Sequence, residues 1–269
     1  MNGELAQYFA LATHGSAWLH QRDASAPPEL DRISSAFQFV RNVDFAGAPG
    51  VGAWLSELSA TGVDRIWLAV PGLQTPVADG RLEPHHRATF AGGLAAGLLT
   101  TSATGNQLWR ASWGVGDQGA QDRRIWDVSY QPTQPTTVGF GPTQLAITVD
   151  HAVAVLDGAL EHAARFSRDH DLDPWQAHFA KARNLRSAED FTTVYHQDLF
   201  PDRGYDLPSR QLVATVQAAW VFGGMGSWND LGFLDAHIQT EYEELTRDLF
   251  SAVMQACVAA ANTHLISAG

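Results

Sequence analysis

Cysteine is almost absent from this chain. Cys257 is the only one, so no disulfide can form within the chain and no multi-cysteine metal site can be built. It sits in an Ala- and Val-rich stretch, where a thiol serves as a small buried hydrophobe. Basic residues are also scarce: 17 Lys and Arg stand against 29 Asp and Glu, a net charge of −12. Phosphate recognition needs clustered cations and no basic run occurs, so neither a nucleic acid nor an anionic membrane surface is expected as a partner. Long apolar runs are missing too. No stretch approaches the length that spans a bilayer, and Met1-Asn-Gly-Glu4 puts no basic region ahead of an apolar core, so no signal peptide is expected. A cytoplasmic location is the simplest expectation.

What the chain has in quantity is tryptophan. Nine tryptophans in 269 residues mean that much large aromatic surface must be buried or used in contacts. A hydrophobic fraction of 45% and a charged fraction of 17% are those of a globular protein, and the length suits one large domain or two modest ones. An acidic protein of this kind can be steered towards a basic partner.

Along the chain, Glu4 to Leu19 reads as a helix, with Gly15 weakening its second half. Residues 23–28 form a break. Ala36 to Phe45 alternates like a strand, but its phase slips near Val40. Gly47 to Gly52 is a loop, Ala53 to Ser59 a short helix, and Asp64 to Val70 the clearest strand, stopped by Pro71-Gly72. Residues 73–87 are polar and loop-like. Thr89 to Leu99 is ambiguous, because Ala and Leu favour helix while Gly92, Gly93 and Gly97 oppose it. Leu98–Ala103, Gln107–Trp113 and Arg124–Tyr130 follow at hairpin spacing, as in a meander.

Gln131 to Pro142, with three prolines, reads as a linker. Beyond it the pattern is helical. Asp150 and Asp173-Pro174 are placed to start helices, and Ser187-Ala-Glu-Asp190 has the spacing of a capping box. Gln211 to Phe222 is an apolar-faced helix. Asp235 to His264 is a long amphipathic one, with Leu245, Leu249, Val253, Cys257 and Ala261 four apart. The expected fold class is α+β: a region over residues 1–135 with a small, mostly antiparallel sheet and flanking helices, then an all-helical region over residues 146–269.

The candidate motifs are few. Gly114-Val-Gly-Asp-Gln-Gly119 spells a dinucleotide fingerprint, but a strand follows it where a helix is required, so it reads as a hairpin loop. No P-loop occurs. Asp169-His-Asp-Leu-Asp173 begins like a calcium loop, yet Pro174 stands at the sixth position and Ala180 at the twelfth. His85-His86 with Glu83 could offer imidazoles to a metal, but no second cluster has ligand spacing. Ser227 follows Gly226 but lacks the second glycine and the preceding strand of a nucleophile elbow. No metal and no cofactor is expected, and no residue is assigned a catalytic role.

The most distinctive stretch is Trp220-Val-Phe-Gly-Gly-Met-Gly-Ser-Trp-Asn-Asp230, which joins two helices. Gly223 and Gly224 are placed to supply the left-handed residue that ends a helix. Ser227, Asn229 and Asp230 suit turns and helix starts. The stretch is either a rigid turn plugged by tryptophan or a binding surface; the binding candidates are Met225, Ser227, Trp228, Asn229 and Asp230. Trp220 is expected in the core and Trp228, with polar neighbours, partly exposed. Gly223 to Asp230 and the helix after it resemble a group of short uncharacterised bacterial proteins that share a Gly-Gly-Met-Gly-Ser-Trp-Asn-Asp signature before a last amphipathic helix. The resemblance covers residues 150–262 and implies no activity. Small acidic proteins of this style resemble immunity or accessory proteins of toxin systems, which favours a binding role.

The function expected from these features is a non-enzymatic acidic cytoplasmic binding protein, in the form of an immunity-type inhibitor of a basic toxin or enzyme. Two alternatives stay open: a hydrolase of unrecognised type using His85, His86 or Ser227, and a self-assembling subunit whose last helix is the oligomer interface.

Overall fold

The computed structural model describes residues 1–21, 26–71, 82–133 and 141–263. The first helix, α1 (Gly3–Gln21), is buried along most of its length and on all sides, which makes it a core helix rather than an amphipathic surface one. Asn2 caps it, its Oδ1 accepting from Leu5 N at 2.9 Å. Gly15 has a packing role: a Cβ there would stand 2.6 Å from Ile66 Cδ1 and 3.1 Å from Leu55 Cδ2. The helix gives up propensity to approach its neighbours closely.

After the four-residue α2 (Leu30–Ile33) and a 3-10 turn at Ser35–Phe37 come β1 (Val40–Phe45), β2 (Ala48–Pro49) and α3 (Gly50–Ala60). The strand expected from Ala36 therefore starts only at Val40, and the phase slip seen there is a bulge in the pairing of β1 between Val40 and Asn42. The Gly47–Gly52 loop instead carries β2 and the first turn of α3. Next are β3 (Val63–Ala69), the short helix α4 (Pro84–Arg87), and the meander β4 (Gly97–Ser102), β5 (Gly105–Val115) and β6 (Trp126–Thr133). The ambiguous 89–99 stretch resolves as turn then strand. A Cβ on Gly93 would lie 1.9 Å from Arg87 O and one on Gly97 2.5 Å from Trp109 O, so neither position admits a side chain.

The sheet order is β2-β1-β6-β5-β4-β3. All pairs are antiparallel except β1 with β6. The β3 edge is covered by side chains. Ser16 Oγ donates to Ile66 O at 2.7 Å and accepts from Ile66 N at 3.0 Å. Asn262 forms the same two-way pair with Leu68, both bonds at 2.9 Å. These bonds satisfy the backbone groups that would otherwise template pairing with another chain.

The C-terminal region contains α5 (Val149–Asp169), α6 (Asp173–Asn184), α7 (Leu207–Ala219) and α8 (Ala236–Ala261). The helices expected near Asp150, Asp173, Gln211 and Asp235 are present, but several caps differ. Thr148, not Asp150, caps α5, its side chain accepting from His151 N. Leu172 precedes α6 and Asp173 lies inside the first turn. The 187–190 run starts no helix: Asp190 instead accepts from Thr192 N and Oγ1 in an irregular segment that lasts until Asp206 caps α7. The proposed linker is partly strand, since Gln131–Thr133 belong to β6 and Pro142 opens a 3-10 turn. Residues 134–140 of it lie outside the described residues, as do 23–25 of the earlier break, 73–81 of the polar stretch and His264 at the end of the last expected helix. One cluster of buried apolar side chains takes in residues of both regions, and α8 packs on α5, α7 and β3.

Candidate functional site

The glycine-rich loop is held from inside. Helix α7 stops at Ala219 because Trp220 turns to extended backbone (ψ 106) and its Nε1 donates to Phe222 O at 3.0 Å. Gly223 and Gly224 do not supply the left-handed residue expected of them; only Gly226 is left-handed here, with φ +83. Trp228 is fully buried, against the expected partial exposure. Its ring centroid lies 5.1 Å from Phe179, 5.4 Å from both Trp175 and Tyr242, and 6.3 Å from Phe166. Its Nε1 donates to Thr246 Oγ1 at 2.8 Å, and Tyr242 Oη donates to its carbonyl. Trp220, expected as the plug, is only half-buried.

The polar residues around Trp228 hold the loop. Ser227 Oγ donates to Gly223 O at 3.0 Å. Asp230 accepts from Gly226 N. Asn229 Nδ2 donates to His85 O at 3.1 Å, tying the loop to α4. What faces outwards is Met225, wholly exposed, and Leu234, likewise wholly exposed and not singled out from the sequence. Asp230, Asp235, Glu243, Glu244 and Asp248 are exposed on the same loop and the first half of α8.

The histidine pair lies under this loop. His85 is buried, and burial first, then His86 and Arg247, bring its pKa down to about 4. Its Nδ1 has no partner among the described residues. Two imidazoles 4.2 Å apart by centroid do not make a metal centre alone, and among the described residues no three His, Cys, Asp or Glu are grouped to hold a metal ion. Cys257 is buried, and burial pushes its thiol up to about 12, which keeps it protonated and unreactive.

A Ser-His-Asp group does assemble elsewhere, from residues too distant in sequence to be read together. Ser35 Oγ donates to Asp198 Oδ1 and lies 2.8 Å from His196 Nδ1. With its single proton given to Asp198, the hydroxyl must accept from His196. The imidazole is then a donor and cannot act as base towards that serine. Asp198 Oδ2 also accepts from Ser35 N at 2.7 Å, and the His196 peptide is clamped at both ends by Gln217, each bond 2.9 Å. Burial brings the His196 pKa down to about 4. The group ties the 3-10 turn at Ser35 to the 188–206 segment and α7.

A second surface feature is a cleft of about 220 Å³ between the start of α1, the 88–91 turn and the sheet at Trp113 and Trp126. Phe39 and Phe90 stand exposed at its walls, and Glu4, only 5% exposed, lines it. No helix among the described residues is long and apolar enough to cross a membrane. No protein-family model, curated protein or solved structure matches the chain.

Proposed function

We propose that this chain is a non-enzymatic acidic cytoplasmic binding protein, an immunity-type inhibitor of a basic toxin or enzyme, and that it meets its partner on the 223–235 loop and the first half of α8. The observation that carries this is the full exposure of Met225 three residues before the fully buried Trp228. An apolar contact side chain fixed by an internal anchor gains affinity without a large ordering cost. Leu234 adds a second apolar contact, and the exposed carboxylates around both suit a partner of opposite charge. The resemblance of the 223–230 signature to short bacterial proteins points the same way. A hydrolase reading has no comparable support, since Ser227 donates to Gly223 O rather than to an imidazole. Self-assembly through α8 loses its main surface: Leu245, Leu249, Val253, Cys257 and Ala261 are all buried within the chain.

The test is photo-crosslinking from position 225 or 234 in source cells, with Ser56, exposed on α3, as the control position. A single adduct with a protein of isoelectric point above about 9, formed from 225 and 234 but not from 56, is expected. Adducts that are absent, or the same from all three positions, would reject the reading. With the partner in hand, Met225→Ala should weaken binding by about 1–2 kcal/mol and leave unfolding unchanged.

A further inference from the structure

The cleft at the start of α1 is independent of the loop and of the reading above. We propose that it binds an alkylammonium group, with the Glu4 carboxylate as counter-ion and the Trp113 and Trp126 rings as walls. The two indoles meet edge to face at 5.8 Å between centroids, and both line the cleft with Phe39 and Phe90. Aromatic faces attract cations through the ring quadrupole. At about 220 Å³ the cleft is smaller than the roughly 300–1,000 Å³ that takes a drug-sized ligand, so it fits one head group or one side chain.

The polar groups select the charge. Gln7 and Asn2 each have both amide heavy atoms engaged: Gln7 donates to Ala36 O and accepts from Tyr130 Oη, and Asn2 donates to Ala88 O and accepts from Leu5 N. In Glu4 one oxygen is not engaged. Its Oε2 accepts from Gly92 N at 3.1 Å and Leu94 N at 3.3 Å, while its Oε1 makes no hydrogen bond among the described residues. Among the described residues, no cationic side chain lines the cleft. A buried carboxylate short of a counter-ion, inside an aromatic enclosure, is completed by a cation with a short apolar body.

The same groups make binding depend on pH. Burial raises the Glu4 carboxyl to about 7, although the two amides and the exposed Arg87 of α4 favour its charged form. The other titratable groups facing it are the Tyr8 and Tyr130 phenols, which burial keeps neutral. The empty cleft therefore holds a carboxyl about half protonated near neutrality, and a bound cation drives the proton off.

The experiment is an NMR titration of the Trp113 and Trp126 indole signals with n-butylammonium, and with 1-butanol as the neutral analogue. At pH 8 the ammonium should bind at least about tenfold tighter than the alcohol, and this advantage should fall about tenfold at pH 6 as Glu4 takes up its proton. Glu4→Gln should remove both the preference and its pH dependence. If that variant does not fold, Trp113→Leu should weaken ammonium binding severalfold. In the wild type, saturating ammonium should also move the Glu4 titration to lower pH. A capped Ala-Lys-Ala peptide distinguishes the sources: tighter binding than n-butylammonium assigns the site to a lysine of a protein, and weaker binding assigns it to a free amine. Equal binding of alcohol and ammonium to the wild type, or a charge preference that survives in Glu4→Gln, would overturn the proposal, as would the absence of any shift at both indoles.

Discussion

Two tryptophan groups behave in opposite ways. Trp228 follows a glycine-rich run and stands between Ser227 and Asn229-Asp230, yet it is sealed among Phe166, Trp175, Phe179 and Tyr242 with its N–H bonded to Thr246. Trp113 and Trp126 lie on strands of the meander, where burial on one face is the rule, yet both are half-buried and line an open cleft. The polarity of its sequence neighbours thus misplaces Trp228. Burial is set by what closes over a ring: helices α5, α6 and α8 close over the first, and among the described residues nothing closes over the pair at the sheet. The Trp113 Nε1 has no partner among the described residues although its atom is buried, so the second group is also less fully satisfied.

The largest expected effect breaks the sealed group. Trp228→Ala removes a ring with no exposed surface and should cost about 3–5 kcal/mol in denaturant unfolding. Trp126→Ala, at a half-buried site, should cost less than half of that. Equal losses would erase the distinction between the two groups.

Acid comes next. His85 and His196 titrate near 4 when folded against an ordinary value of 6.5, so the folded state binds fewer protons than the unfolded one. Their neutral forms favour folding fully above about pH 6.5, and that advantage is lost as pH falls towards 4, by about 2 kcal/mol each at pH 5. Glu4 runs the other way: raised to about 7 from 4.5, it favours folding at low pH and loses that contribution as pH rises through 7. Between pH 7 and pH 5, His196→Asn, which keeps a donor for Ser35, should lose about 2 kcal/mol less stability than the wild type. An identical slope would show that His196 is not held neutral.

The smallest effects sharpen the account of the loop. Gly226→Val should cost about 1–2 kcal/mol through left-handed backbone strain. Gly224→Val, at a position with no positive φ and no atom within 4 Å of an added Cβ, should stay within about 0.5 kcal/mol. The reverse order in thermal melts would put the strained residue where the sequence first suggests it.

That reversal illustrates what could be read from sequence. The α+β class, the meander and helices α1, α5 and α8 are legible because apolar periodicity and turn chemistry are local signals. Caps are less so. Thr148 and Asp150 are equally good cap residues by type, and backbone direction chooses between them. Gly223, Gly224 and Gly226 are alike in sequence, and only the early end of α7 at Ala219 moves the left-handed position to the third. The site residues divide the same way. Met225, Ser227, Trp228, Asn229 and Asp230 form a visible run, but which of them face outwards is decided by α5, α6 and α8. The cleft joins Glu4 to Phe39, Phe90, Trp113 and Trp126, and the Ser35–His196–Asp198 tie spans two regions. Neither leaves any spacing to find.

The division between sealed and open tryptophans is tested most directly by fluorine NMR of protein labelled with fluorotryptophan, each signal assigned by a Trp→Phe variant and compared in light and heavy water. The Trp228 signal should show no solvent isotope shift, and those of Trp113 and Trp126 should both shift. A Trp228 signal that moves as far as the other two would contradict the account.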